Sequence, residues 1–332
     1  MTTCTTSPSG ERGERRVRAS DVLSRDEIRA LTRTSNAGGA VAVAWTWLVI
    51  VACFAALARW PHPITFAAAV VVLGGRQLAL AVLMHEAAHG TLFRTRWWND
   101  VFTDAVCARP VLGDVARYRK HHIGHHAFTG TPRDPDLGLA PTEPMTRASL
   151  ARKILRDLSG VSGARRIVGL ALMDLELLAY DVGGGVPARL PRRSPLAHAR
   201  AFAKNAGPAL VANAALFSAL SAAHAAWTYA AWAVAYVTTY GLFLRVRSLA
   251  EHACTERTAD PFRNTRTTRA SFAARMTVAP LHVNHHLEHH LLPTVPWFRL
   301  PAMGRLLAAR GAVPASSVLP DYLAVLRFVS AR

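Results

Sequence analysis

Cysteine is scarce in this chain of 332 residues. The four cysteines, Cys4, Cys53, Cys107 and Cys254, are scattered and form no Cys-x-x-Cys pair. Their spacing argues against a disulfide framework and against a cysteine-ligated iron–sulfur cluster, and it suits a reduced cytoplasmic face. Thiol ligands are therefore not expected at a metal site in this protein.

Lysine and acidic residues are also few. Lys120, Lys153 and Lys204 are the only lysines among 39 basic residues, and 21 acidic residues leave a formal charge of +18. No zinc finger, helix-turn-helix or RNA-binding motif accompanies this charge, so we expect no nucleic-acid partner. In a membrane protein, arginines face anionic headgroups and keep loops on the cytoplasmic side. The same charge would suit an acidic electron-transfer partner.

Apolar residues, in contrast, are abundant and segregated. They make up 51% of the chain, and charged residues make up 18%. Four apolar runs are long enough, at about 1.5 Å per helical residue, to cross a hydrocarbon core of about 30 Å. We predict spans at 39–60, 65–84, 208–226 and 227–244. The fold class predicted is an all-α membrane protein with four transmembrane helices and a cytoplasmic helical cap.

The predicted spans divide the chain into three parts: an arginine-rich polar segment (1–38), a four-span domain (39–301) and a cytoplasmic tail (302–332). Arginines crowd the parts outside the spans, so we expect both termini on the cytoplasmic side of a bacterial inner membrane. The apolar run 101–112 is too short to span and predicts an interfacial or re-entrant helix. Amphipathic stretches at 147–158 and 167–180 predict membrane-surface helices.

Histidines occur in three short clusters. Their members are His85 and His89, then His122, His125 and His126, then His286, His289 and His290. Spacings of i, i+3 and i+4 place the imidazoles of each cluster on one face of a helix. Imidazole is a common ligand of iron and zinc, and one mononuclear site does not need so many. The sequence therefore predicts two metal ions, and an even number of spans would bring all three clusters to one membrane face.

The clusters read HxxxH, HxxHH and HxxHH, and in this order they resemble the integral-membrane fatty acid desaturase and hydroxylase superfamily. Two further motifs agree with it: DPD at 134–136 resembles the family's element after the second cluster, and AEH at 250–252 resembles its additional histidine. The polar segment 260–268, DPFRNTRTT, is similar to an NTRT segment of bacterial members, and we expect it to pack around the site or to bind a substrate headgroup.

The resemblance implies a di-iron centre, with O2 as co-substrate and nine ligands: His85, His89, His122, His125, His126, His252, His286, His289 and His290. Residues expected to support these ligands are Glu86, Asp134, Asp136, Asn284 and Glu288. His121 breaks the family spacing and is not expected to be a ligand. The role of His285, which stands where many relatives have an aromatic residue, is left open.

The reaction implied is the removal of two hydrogens from an acyl chain that is part of a lipid or bound to a carrier. The chain has no HPGG haem motif, so we expect a separate electron donor, a ferredoxin or a similar carrier. A hydroxylase or ketolase of a lipid, carotenoid or alkyl substrate is the alternative with the same centre. A non-catalytic metal-binding membrane protein is a more remote alternative. Transport predicts ionisable groups inside the spans, whereas the clustered histidines lie almost entirely outside the predicted spans.

Overall fold

The computed structural model describes residues 16–330. Both termini lie outside the described residues. These are the first 15 residues of the predicted polar segment and the last two residues of the predicted tail. The helices are α1 (Ala19–Val22), α2 (Arg25–Leu31), α3 (Asn36–Arg59), α4 (Pro63–His89), α5 (Val115–Phe128), α6 (Arg147–Leu158), α7 (Val161–Asp174), α8 (Pro195–Ala222), α9 (Tyr229–Val237), α10 (Thr239–His252), α11 (Pro261–Asn264), α12 (Phe272–Met276), α13 (His286–Leu291), α14 (Leu300–Ala309) and α15 (Tyr322–Val329). The strands are β1 (Thr267–Thr268) and β2 (Val318–Leu319).

Two of these helices are long and apolar enough to cross a membrane. Helix α3 has 24 residues and helix α4 has 27. Helix α3 packs against α4 with one face, and its other face exposes large apolar side chains such as Trp45 and Leu48. Water does not favour such a continuous apolar face, whereas lipid accommodates it. The two helices suggest a membrane protein, as the first two predicted spans require.

The third and fourth predicted spans are not confirmed among residues 16–330, and the four-span topology stays a prediction. Helix α8 has 28 residues, but it is not among the helices apolar enough to span, and Asn213 lies within its predicted spanning part. The run 227–244 is divided between α9 and α10, which have 9 and 14 residues. The division falls at Thr238, where the backbone leaves helical geometry, and the next residue, Thr239, donates its hydroxyl to Val70 O of α4 at 2.7 Å. Thr238 itself donates its hydroxyl to Val234 O at 2.6 Å, and local side-chain hydrogen bonds of this kind often bend a helix.

The remaining elements form a helical cap over one end of α4. The run 101–112 lies in short π-helical and 3-10 turns, none of them long enough to span. Helix α6 covers 147–158 as predicted, but the second amphipathic helix is α7, which ends at Asp174 rather than at residue 180. The helix ends early because the chain turns at Glu176, whose φ is +54°.

The segment 302–332, predicted as a tail, is built into this cap as far as residue 330. Val325 and Val329 of α15 are fully buried and pack with Leu249 and Ala250 of α10. Strand β2 pairs in parallel with β1, with Thr267 opposite Val318. The C-terminal segment therefore supports the end of α10, where His252 lies.

The contact between α7 and α9 provides a test of this packing. A Cβ added at Gly163 would lie 2.2 Å from Val237 O of α9, so Gly163→Ala forces the two backbones apart. We expect Gly163→Ala to lower the free energy of unfolding by about 1–3 kcal/mol. Gly169 of the same helix has no atom within 4 Å of such a Cβ, and Gly169→Ala is the matched control.

We expect Gly169→Ala to raise the free energy of unfolding by roughly 0.5–1 kcal/mol, because alanine has less backbone freedom to lose than glycine. The measurement is denaturant unfolding of both variants and the wild type in detergent, followed by circular dichroism. Equal stability of the two variants would contradict the close α7–α9 contact.

Candidate metal centre

The three histidine clusters lie on three helices that meet inside the cap. His85 and His89 occupy the last turn of α4, which ends at Gly90 in the left-handed conformation (φ +72°). The second cluster lies on α5, whose N-terminus is capped by Asp114 accepting from Arg117 N–H at 2.9 Å. The third cluster forms most of the short helix α13. Because α4 is continuous through its histidines, the first cluster is fixed rigidly to a long apolar helix.

The nine predicted ligands come together in two groups. Within each group the potential ligand atoms all lie within 4.8 Å of one another. The first group contains His85, His89, His122, His126 and His289, and the second contains His125, His252, His286 and His290. The second and third clusters of the sequence are thus shared between the groups. The groups are adjacent, since the rings of His126 and His290 stack with centroids 4.3 Å apart.

The ring nitrogens within each group face one another at short distances. The Nε2 atoms of His122 and His126 are 3.1 Å apart, and those of His126 and His289 are 3.0 Å apart. In the second group the Nε2 atoms of His252 and His286 are 2.8 Å apart. Histidine nitrogens bind divalent transition metals at about 2.1 Å, so adjacent nitrogens of an octahedral site lie about 3.0 Å apart. The spacing in both groups therefore fits histidines that converge on a metal ion.

Burial favours the neutral form of most of these imidazoles, which is the form that binds a metal. It lowers the pKa of His126, His289 and His290 well below the usual range of histidine. It also lowers the pKa of His252 to about 3, with a further contribution from the nearby His125. A neutral imidazole offers one nitrogen lone pair, and the lone pairs of facing nitrogens repel each other unless a cation or a proton lies between them.

Unsatisfied nitrogens at the centre are consistent with metal coordination. The Nε2 atoms of His85 and His89 are buried and have no hydrogen-bond partner among the described residues. A buried polar atom without a partner is costly, and in native proteins it commonly marks an ion or a water molecule. The two groups therefore fit two metal ions by the number, type and spacing of their donors.

The DPD element contacts the second cluster directly. The Nδ1–H of His125 donates to Asp134 Oδ1 at 2.7 Å. Burial alone would lower the pKa of His125, but this hydrogen bond and the charges of Asp134 and Asp136 together raise it. Asp134 also accepts from the backbone N–H groups of Gly130 and Asp136, at 3.2 and 2.9 Å. One carboxylate thus shapes the turn and also orients the imidazole, in the way that outer carboxylates commonly position metal-binding histidines.

His121 and His285 adjoin predicted ligands but lie outside the predicted set, and they contact carboxylates instead. The Nε2 of His121 lies 2.7 Å from Asp136 Oδ1, and neither group includes His121, as its spacing predicted. The Nδ1 of His285 lies 3.1 Å from Glu288 Oε1, and His285 is also outside both groups. Glu288 therefore contacts His285 rather than a member of the two groups.

Glu86 contacts the first histidine cluster, and Asn284 contacts the segment around Thr268. Glu86 Oε1 lies 3.3 Å from His85 Nδ1, and its Oε2 accepts from the backbone N–H of Trp297 and from the Thr91 hydroxyl, both at 3.0 Å. Asn284 donates from Nδ2 to Thr268 O at 2.8 Å, and its Oδ1 is buried without a partner among the described residues. Glu86 thus contacts a predicted ligand, and the supporting role of Asn284 stays a prediction.

An ion pair next to His286 was not predicted. Arg247 donates from Nε to Glu251 Oε1 at 2.6 Å, and the same oxygen lies 3.4 Å from His286 Nδ1. A second unpredicted contact is the hydrogen bond from the Nδ1–H of His252 to the backbone carbonyl of Asn264, at 3.1 Å. Glu251 could have been identified from the sequence by its place beside His252 in the AEH motif. Asn264 lies in the segment 260–268, which was expected to pack around the site or to bind a substrate headgroup.

A cavity of about 360 Å3 lies beside both groups. His122 of the first group and His125, His252 and His286 of the second contribute to its wall. Much of the remaining wall is aliphatic or aromatic, including Met84, Leu170, Met173 and Tyr118. A molecule in this cavity would contact the histidines at one side and apolar side chains elsewhere.

A mostly helical chain with two adjacent histidine groups beside an apolar cavity defines a candidate two-metal protein of the membrane-associated type. Comparison with known sequences gives the family. The sequence model of the fatty acid desaturases matches residues 61–318, so the chain belongs to the fatty acid desaturase family. The resemblance identified from the histidine motifs is thereby confirmed.

A curated relative is also named as a desaturase. The dihydrorhizobitoxine desaturase of Bradyrhizobium elkanii is 28% identical over 281 residues, which cover 81% of this chain and 74% of the relative. The family and this relative both indicate an oxidoreductase of the desaturase type.

The hydrogen bond between Asp134 and His125 predicts a dependence of metal affinity on this carboxylate. We expect Asp134→Asn to weaken Fe2+ binding by about 10–100-fold, because the amide cannot orient the imidazole and increase its basicity as the carboxylate does. The measurement is the iron content per chain during competition with a chelator of known affinity.

Asp260→Asn is the matched control. Asp260 caps α11 by accepting from Phe262 N–H at 3.1 Å, and asparagine caps equally well. We expect the control to bind iron like the wild type. Unchanged iron affinity in Asp134→Asn would contradict the supporting role of this carboxylate.

Proposed function

We propose that this chain is a membrane-bound fatty acid desaturase that removes two hydrogens from an acyl chain at a di-iron centre, using O2. The observation that carries the proposal is the convergence of nine histidines into two adjacent groups at the wall of an apolar cavity. The family supports an acyl substrate, and the name of the curated relative supports desaturation as the reaction.

Iron fits the donor set better than structural zinc. Structural zinc sites are closed and tetrahedral, whereas groups of five and four imidazoles would leave positions open in octahedral coordination. Two bound iron ions, with O2 and two external electrons, supply an oxidant that can attack an unactivated C–H bond. In the balanced reaction, CH2–CH2, O2, two electrons and two protons give CH=CH and two molecules of water.

The protein's own residues position the centre and the substrate. Asp134 accepts from the Nδ1–H of His125 and Asn264 O accepts from the Nδ1–H of His252, so two members of the second group are oriented through their Nδ1 atoms, and Glu251 Oε1 lies 3.4 Å from His286 Nδ1. The apolar wall of the cavity excludes water and fixes the chain relative to the histidines. This placement selects which C–H bond reacts, since displacements of about 1 Å alter reactivity strongly.

We further propose an external electron donor, a ferredoxin or a similar carrier, that approaches from the side of His89. His89 is the partly exposed member of the first group, and it lines a surface depression together with Arg94, Arg96 and Arg119. Asp100 pairs with Arg96 and Arg119 there and reduces the positive charge without cancelling it. An acidic carrier would complement this surface and would come close to a metal-binding imidazole.

For the location we propose the inner membrane of a bacterium, with four spans and with the histidine centre and both termini on the cytoplasmic side. The apolar helices α3 and α4 support membrane insertion. Helix α4 carries the first two histidines directly after its apolar part, which supports a centre close to the membrane surface.

The reaction is tested by mass spectrometry of lipid and fatty acid extracts from cells that express the protein with a ferredoxin system. The wild type is expected to yield a product that lacks two hydrogens, and its double bond is located after derivatisation. We expect His289→Ala to lose at least about 100-fold in product, because His289 contacts several members of the first group. The control is His224→Asn, at an exposed residue in a left-handed turn that asparagine tolerates.

A product that gains one oxygen would instead identify a hydroxylase with the same centre. Iron binding without any product in the presence of donor and substrates would favour the non-catalytic alternative. Equal products from the wild type and His289→Ala would contradict the di-iron assignment.

A further inference from the structure

The cavity beside the histidines contains one arginine that has no acidic partner. Two arginines, Arg166 and Arg247, contribute to its wall. Arg247 is paired with Glu251 at 2.6 Å. Arg166 lies on α7 and forms no ion pair with a carboxylate of residues 16–330. A guanidinium cannot lose its charge at neutral pH, so Arg166 places a positive charge on an otherwise largely apolar wall.

The position of Arg166 is fixed by two tyrosines and one carbonyl group. The rings of Tyr236 and Tyr240 stack with centroids 5.2 Å apart, and the Arg166 Cζ atom lies 4.8 and 4.7 Å from the two centroids. Arg166 Nη2 also donates to Tyr236 O at 2.6 Å. Cation–π contacts and a hydrogen bond hold the guanidinium in place without neutralising its charge. Its Nε is buried and has no hydrogen-bond partner among the described residues.

The acidic residues of the cavity wall are engaged elsewhere. Asp136 contacts His121, and Glu251 contacts Arg247. Asp181 Oδ1 accepts from the backbone N–H of Gly183 at 2.7 Å. None of the three lies within ion-pair distance of Arg166. An arginine with spare donors in a water-poor cavity favours a planar anion, because a carboxylate accepts two parallel hydrogen bonds from the guanidinium.

We propose that Arg166 binds the carboxylate of the substrate, and that the substrate is a free carboxylic acid of short or medium chain length. The reaction in this inference rests on the proposed function, whereas the binding of a carboxylate by Arg166 does not depend on it. The carboxylate at Arg166 and the C–H bond at the histidines have to fit in one cavity. The cavity volume of about 360 Å3 is near the lower end of the roughly 300–1,000 Å3 of ligand pockets, which favours a substrate of short or medium chain length.

The same geometry disfavours an acyl chain that is esterified to a lipid. An ester has no negative charge, and burying it beside Arg166 would remove water from the guanidinium without replacing it by an anion. Arg166 would then distinguish acids from esters, and the distance between Arg166 and the histidines would determine which carbon atoms can react.

The test compares the binding of decanoate and methyl decanoate by isothermal titration. The iron-loaded full-length protein is used in lipid nanodiscs at pH 8, and empty nanodiscs give the background. We expect the wild type to bind decanoate at least about 10-fold more tightly than the ester, since the two ligands differ in the charge that Arg166 recognises. Arg166→Gln is expected to remove this preference.

Arg165→Gln is the matched control, because Arg165 is the exposed neighbour on the same helix and does not line the cavity. It is expected to keep the full preference for the acid. Arg166→Lys retains the charge but not the planar pair of donors, so an intermediate preference is expected. This variant also keeps the test informative if Arg166→Gln does not fold.

Equal binding of acid and ester by the wild type would overturn the proposal, as would an undiminished preference for the acid in Arg166→Gln. Turnover of decanoate and of methyl decanoate by the wild type and by Arg166→Gln then distinguishes failure of the proposed function from failure of the Arg166 site. Failure of the proposed function would appear as acid-selective binding without any oxidised product. Failure of the Arg166 site would appear as oxidised product formed equally well from acid and ester, with or without Arg166.

Discussion

The burial of nine imidazoles next to one another is the constraint on which this structure depends. Seven of the rings are buried and those of His89 and His252 are half-buried, and facing nitrogens such as those of His122 and His126 lie only 3.1 Å apart. Without a cation, such an arrangement leaves buried lone pairs and unsatisfied nitrogens, both of which destabilise a folded protein. Metal ions bound within the two groups would supply the missing partners and would thereby couple metal binding to the stability of the fold.

The cap keeps these imidazoles in place through residues distant in the sequence. Glu86 of α4 accepts a hydrogen bond from Trp297 N–H, which joins the first cluster to the chain that follows the third. Asn264 O fixes His252, and α15 packs against the helix that carries His252. Groups held from several directions need little rearrangement when a ligand or a metal binds, which is the usual requirement for a precise site.

The cavity adds a second constraint, which concerns the substrate. It meets both histidine groups on one side and Arg166 on another, with mainly apolar walls between them. A centre that attacks C–H bonds needs a substrate held in one register, and apolar walls alone allow a chain to slide. A fixed charge such as that of Arg166 removes this freedom, because a carboxylate bound to it sets the register of the whole molecule.

The sequence by itself determined the two long apolar helices and the family, because these follow from local spacing and from uninterrupted apolar runs. The nine histidines predicted as ligands come together and His121 lies outside both groups, but their binding of metal stays a prediction. Spacing did not reveal that His125 leaves the group of His122 and His126, since that division depends on where α10 and α13 lie. Glu251 and Arg166 depend likewise on contacts between distant helices, and the run 227–244 is divided at Thr238, beside the contact between Thr239 and α4. Only the tertiary structure decided these features, because side chains from several helices meet there and no single stretch of sequence encodes their distances.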